Sequence, residues 1–234
     1  MQGPWSARPG ARIDTMGGEM TSSTEAFRGT LTRRAALLSA ATAWTLLERP
    51  ATAGPSVDQP LRELYVALDA IMRAGHTKPF AERFDSLAPV VDRVFDLETV
   101  LKVSVGLRWD SMDTGNRGSL LRAYRRFTIA TYVANFNKYD GERFQILPGS
   151  RDAGSDRIVG TEIITGGDHL RLDYVMRDDQ GTWRAVDVLL EGSISRVAVQ
   201  RSDFRRILAN GDADALVASL RRKIADSSDG ALSS

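Results

Sequence analysis

The amino-acid sequence predicts an α+β domain in which an antiparallel or mixed sheet is wrapped by helices around an apolar interior. Three observations lead there. Apolar residues recur at helical spacing from Leu61 onward, four segments in the middle of the chain alternate apolar and polar residues with period two, and helical spacing returns in the tail. Glycine and aspartate pairs separate the alternating segments, so the strands follow one another as a meander rather than through helical crossovers.

Each element has its own signals. Leu61, Leu64, Tyr65, Leu68, Ile71 and Met72 make a helix after Pro60 that Gly75 ends. A second helical stretch is expected over 80–95, with an interruption near Pro89. Asp96 reads as the N-cap of a third, which buries Leu97, Val100, Leu101 and Val105 before Gly106. The longest helix is expected over 119–139, with Leu120, Tyr124, Phe127 and Thr131 on one face and Arg122, Arg125 and Arg126 away from it. Asp140-Gly141 then turns the chain into strands at 144–147, 157–165, 170–177 and 183–191, with Gly166-Gly167 and Asp178-Asp179-Gln180-Gly181 as hairpin connections. In the third strand Leu170, Leu172, Tyr174 and Met176 share a face opposite Arg171, Asp173 and Arg177; in the fourth, Val186, Val188 and Leu190 form the matching row. The tail carries Phe204, Ile207 and Leu208, a stop at Asn210-Gly211, and a last helix with Leu216, Val217, Leu220 and Ile224.

Ahead of this domain stands a leader. Thr32-Arg33-Arg34 precedes an apolar run, 35–47, of signal-peptide length and too short to span a bilayer. Ala51-Thr52-Ala53 supplies small residues for a signal peptidase, which places cleavage before Gly54. The arginine pair resembles a twin-arginine signal, the alternative being an ordinary Sec signal whose basic flank holds two arginines; by either route residues 1–53 are expected to be an N-terminal extension and export signal, and residues 54–234 a single domain delivered to the periplasm.

Composition narrows the function. The chain has 31 basic and 30 acidic residues, and the leader holds six and four of these, so the exported part is near neutral. That balance leaves no electrostatic footprint for nucleic acid and none for strong anchoring on an anionic membrane. With no cysteine, the fold uses no disulfide and has neither a thiol nucleophile nor a cysteine metal site. No phosphate-cradling glycine loop, Ser/His/Asp order or metal motif is present, and no cofactor is expected.

A set of separated motifs in fixed order then carries a resemblance. Phe95-Asp96-Leu97-Glu98-Thr99-Val100, Val105-Gly106-Leu107-Arg108-Trp109, Tyr124-Arg125-Arg126-Phe127 with Thr131-Tyr132, and Tyr139 resemble the helical half of the MlaC/toluene-tolerance family. Gly181-x-Trp183, Asp187-Val188, Glu191-Gly192, Ser195 and Arg201-Ser202-x-Phe204 are similar to its second half. Where much of that family reads Ser-Leu and then Tyr-Arg-Ser, this chain has Ser195-Arg196 and Gln200-Arg201-Ser202, and the string 194–201 looks like the hopanoid-associated branch, HpnM. The resemblance implies a periplasmic lipid carrier, auxiliary to an ABC transporter that maintains outer-membrane lipid asymmetry. Its implied partners are a phospholipid or hopanoid ligand, an inner-membrane lipid-transport complex, and an outer-membrane acceptor or donor.

The strand and helix faces nominate the pocket: Leu101, Val105, Tyr124, Phe127, Tyr132 and Phe136 from the helices, and Leu172, Tyr174, Met176, Val186, Val188 and Leu190 from the strands. No catalytic residue is assigned. Two alternatives differ in class. A small α+β hydratase or isomerase would need His169, Asp173 or Asp187 to converge as a base inside the apolar cavity. A structural adaptor would have a filled core and no cavity. His76 and His169 are expected at the surface, and Asp187 and Glu191, read on one strand face with Trp183, are expected to hold the fold or an interaction surface rather than do chemistry.

Overall fold

The computed structural model describes residues 56–232, so the leader and the predicted cleavage site before Gly54 lie outside the described residues. The order is α1 (Gln59–Ala74), a 3-10 turn (Gly75–Thr77), α2 (Phe80–Val94), α3 (Leu97–Val105), α4 (Arg108–Ser111), α5 (Thr114–Asn135), β1 (Arg143–Ala153), β2 (Asp156–Thr165), β3 (Asp168–Asp179), β4 (Thr182–Leu190), β5 (Ile194–Ser195), α6 (Arg196–Asn210) and α7 (Ala213–Ser227). The α+β class is as the pattern predicts. Among the described residues no helix is long and apolar enough to cross a membrane.

Capping groups set most helix ends. Asp96 accepts the Thr99 N–H at 3.0 Å and starts α3, while Gly106, at φ 72°, donates to the Lys102 carbonyl and stops it. Asp113, Ser195 and Asp212 cap α5, α6 and α7 in the same manner. Two boundaries differ from the expectation. Pro89 lies inside α2 without breaking it, because the ring faces outward while Leu87, Ala88, Val91 and Val94 bury the opposite side. The long helix runs five residues earlier than 119 and stops at Asn135, because Asp113 supplies a cap that the glycines at 115 and 118 obscure in the sequence. It is buried on more than one side, since α2, α3 and α7 all pack against it.

The sheet is an antiparallel meander in the order β1-β2-β3-β4-β5. The only parallel pairing among the described residues is the isolated bridge between Phe95 and Ala185, which ties the end of α2 to β4. Leu172, Tyr174 and Met176 point into the core as predicted. The expected row on β4 does not hold throughout: Tyr174 faces Val188, but Met176 faces Ala185, so a bulge places Val186 outside the register. Ala185 therefore takes the inward position, and Val186, although buried, is not part of the main core.

Asp173 is a second departure. Strand alternation puts it on the outer face with Arg171 and Arg177, yet it is only 2% exposed. Arg171 donates to one carboxylate oxygen at 2.6 Å and Arg151 to the other at 3.0 Å, so the buried carboxylate is covered and paired by two arginines that themselves reach solvent. Gly160 makes room for this arrangement, because a Cβ there would come within 2.6 Å of the Arg171 guanidinium.

Candidate functional site

A cavity of about 700 Å³ opens between α5, α6, the end of α7, the start of α3 and β4. Its longest wall is α5, where Tyr124, Phe127, Thr128, Thr131, Tyr132 and Asn135 recur at helical spacing along about 16 Å of helix. Phe95, Leu97 and Val100 close one side, Val188 with Asp187 supplies the edge of the sheet, and Val197, Gln200 and Phe204 come from α6. Lys223 and Asp226 of α7 complete the rim, the Lys223 ammonium standing 5.7 Å from the centre of the Phe127 ring. The interior is thus mainly apolar and aromatic, with charged groups brought in from the two tail helices.

Four of the twelve nominated residues line this cavity: Tyr124, Phe127, Tyr132 and Val188. The other eight do not. Leu101, Leu172 and Met176 are fully or almost fully buried, as is Tyr174, and Val105 is at 8%; α1, α2 and α6 cover these faces, so they are closed core. Val186 is displaced by the bulge, and Leu190 is half-buried near the β5 edge. Phe136 lies beyond the end of α5, stacked on Tyr132 at 6.0 Å and tilted against Phe144 at 5.9 Å, where it backs the wall instead of forming it. The cavity thus sits toward the tail helices rather than between α5 and the centre of the sheet. The lining residues not nominated are Phe95, Leu97 and Val100 at the start of α3, Asp187 on β4, those of α6 and α7, and the remaining members of the α5 stripe. Thr128, Thr131 and Asn135 could have been found by extending the Tyr124–Phe127 spacing along the helix.

Behind the wall stands a group of buried tyrosines. The Tyr65 hydroxyl bonds the Thr161 hydroxyl, the Tyr174 hydroxyl lies between those of Tyr65 and Tyr132, and the Tyr124 hydroxyl donates to Gln200 at 2.9 Å. Burial pushes the phenols of Tyr65 and Tyr124 up to about 12, and raises those of Tyr132 and Tyr174. Unfolded tyrosines release their protons near pH 10. Above that pH the unfolded chain binds fewer protons than the folded one, so stability falls as pH rises from about 10 through the folded values. We expect tyrosinate absorbance and loss of circular dichroism to rise together in an alkaline titration. Full ionisation of the tyrosines with the dichroism intact would contradict this.

The groups that acid/base chemistry would require do not converge. His169 lies on the exposed surface with Nδ1 3.0 Å from Glu162, and His76 is exposed in the 3-10 turn. Asp173 is held by its arginines. Of the three residues that an enzyme would use as base, only Asp187 borders the cavity, and both its oxygens are engaged: one accepts the N–H groups of Val188 at 2.7 Å and Val197 at 3.1 Å, the other accepts the Ser195 hydroxyl. It fastens the start of α6 to β4. Among the described residues no cluster of His, Asp or Glu could hold a metal ion. The filled core that an adaptor would have is interrupted by the cavity itself.

Comparison with known proteins adds a family and a fold. Residues 64–222 match a family model described as MlaC protein. Among solved structures the fold is similar to that of a protein from Ralstonia solanacearum described as a phospholipid-binding protein in complex with a phospholipid. The TM-score is 0.62 at 16% sequence identity, over 73% of this chain and 96% of that one. At that identity the likeness is one of fold. None of the curated proteins compared matches the chain.

Proposed function

This chain belongs to the MlaC family, and from that premise we propose that it is a periplasmic carrier that takes the apolar body of a phospholipid into the α5 cavity and shuttles it between inner- and outer-membrane transport components. It acts by binding alone. The observation that carries the reading is the cavity: about 700 Å³ behind a mainly apolar and aromatic wall, with charged side chains supplied by the tail helices and by Asp187 of β4. Such a volume lies within the range of pockets that enclose a small-molecule ligand. The described relative, a phospholipid-binding protein of the same fold, supports the same cargo class.

The physical need is large. At about 0.8 kcal/mol per methylene, a lipid with two chains of about 15 carbons faces a cost of order 20 kcal/mol or more in crossing water unshielded. An apolar cavity removes much of that cost by surrounding the acyl chains with side-chain contacts, while the polar head stays at the rim near water. A hopanoid is the second cargo we consider, on the strength of the 194–201 string.

The test is to purify the protein from the periplasmic fraction of its native host and analyse both chain and cargo by mass spectrometry. We expect a mature N-terminus at Gly54 and a co-purifying lipid, identified by its mass as phospholipid or hopanoid. An unprocessed cytoplasmic chain would overturn the export reading. Protein that yields no lipid and takes up none from vesicles would overturn the carrier reading.

A further inference from the structure

Helix α6 brings into the cavity wall an amide that an apolar container does not require. Gln200 lines the cavity, and its side chain is held from behind. The Tyr124 hydroxyl donates to its oxygen at 2.9 Å, and the Ser104 hydroxyl, which donates to the Val100 carbonyl at 2.7 Å, approaches the same oxygen at 3.3 Å. Tyr124 and Ser104 are themselves buried, at 4% and 0%, so this clamp lies on the inner side of the wall rather than at its rim.

An amide has one acceptor and two donor hydrogens. With the oxygen engaged, the nitrogen is left without a hydrogen-bond partner among the described residues. Val100, Val197 and Phe204 line the cavity with it, and on its own helix the charged lining residues are Arg196, four residues earlier, and Asp203, three residues later. A donor kept in a mainly apolar wall disfavours a cargo that covers it with hydrocarbon and favours one that presents an oxygen to it. Arg196, one turn earlier on the same helix, lines the same cavity.

We propose that Gln200 is a specificity-determining residue of the cavity, whose amide donates to an oxygen in the enclosed part of the cargo and so selects lipids whose apolar body bears an ester carbonyl or a hydroxyl over bodies that are hydrocarbon or ether at that point. The inference rests on the carrier reading and goes beyond it by naming the group that discriminates among cargoes.

The experiment is competitive loading of the mature protein, with bound lipid counted by mass spectrometry. One arm uses vesicles of equal parts diacyl and dialkyl phosphatidylethanolamine of the same chain length. The other uses phosphatidylethanolamine vesicles with a pentacyclic triterpene alcohol and its parent hydrocarbon in equal amounts. We expect the wild type to favour the oxygenated member in one arm by about five- to tenfold, which identifies the source of the oxygen. Gln200→Met should bring that ratio near one among the lipids it loads. Gln200→Glu keeps an oxygen for Tyr124 but, ionised, has only acceptors. It should keep selection for a hydroxyl and lose selection for an ester carbonyl. A wild-type ratio of one in both arms overturns the proposal, and so does an unchanged ratio in folded Gln200→Met. The wild-type ratios and Gln200→Glu decide the matter if Gln200→Met does not fold. Failure of the wild type to load any lipid from any vesicle would instead sink the carrier reading on which the proposal stands.

Discussion

Val188→Asp is expected to abolish lipid uptake. Val188 lies on β4 opposite Tyr174, is 7% exposed, and forms the sheet edge of the cavity. A carboxylate there would be flanked by apolar and aromatic side chains, with a cost of several kcal/mol if it remains charged against a seated cargo. The cavity is open to water when empty, so the folded protein can solvate the new charge; a lipid body covering it cannot. Loss of binding should therefore exceed loss of stability. Vesicle uptake read alongside circular dichroism separates the two. A folded Val188→Asp protein that loads lipid like the wild type would show that the cargo does not occupy this cavity.

The largest stability effect among the polar residues is expected at Asp187. Its carboxylate joins β4 to α6 by accepting the Ser195 hydroxyl and the Val197 N–H, and its negative charge stands at the helix N-terminus. Asp187→Ala leaves those donors without partners and should cost about 2–3 kcal/mol, lowering Tm by about 5–10 °C. Asp187→Asn keeps one oxygen acceptor and should lose roughly half as much. Because α6 supplies Val197, Gln200 and Phe204 to the wall, lipid uptake should weaken in proportion to the loss of structure. If Asp187→Asn were as stable as wild type yet lost a measurable turnover, the enzyme alternative would return. Equal stability of wild type and Asp187→Ala, measured by thermal denaturation, would remove Asp187 from its fastening role.

Much of the fold was legible because its signals are local. Gly75 and Gly106 stop helices through backbone conformations that glycine favours, Asp96 offers its carboxylate three residues ahead to Thr99, and β3 alternates so regularly that its inward row could be read without a partner strand. Where a second element competes, the local signal fails. Pro89 suggests a break, yet the burial of Leu87, Ala88, Val91 and Val94 on the opposite face keeps α2 continuous. The alternation of β4 suggests Val186, Val188 and Leu190 as one row, but the bulge against β3 brings Ala185 inward in place of Val186.

The cavity shows the same division more sharply. The sequence by itself determined an α+β chain with apolar rows on sheet and helices, together with the motifs of the MlaC family. It could identify Tyr124, Phe127, Tyr132 and Val188 as apolar-facing, but not that Leu101, Leu172, Tyr174 and Met176, just as apolar, would be covered. Whether a buried-type side chain ends as core or as wall depends on what stands opposite it, and that is set by elements distant in sequence: α1, α2 and α6 close the core faces, whereas α6 and α7, which begin about 80 and 100 residues after the start of α5, leave the space beside it. The tertiary structure alone decided that the empty space falls beside α5 on the tail-helix side, and that Gln200, Phe204 and Lys223 border it. Hydrophobicity specifies that a side chain leaves water; only packing specifies whether protein or a vacant volume receives it.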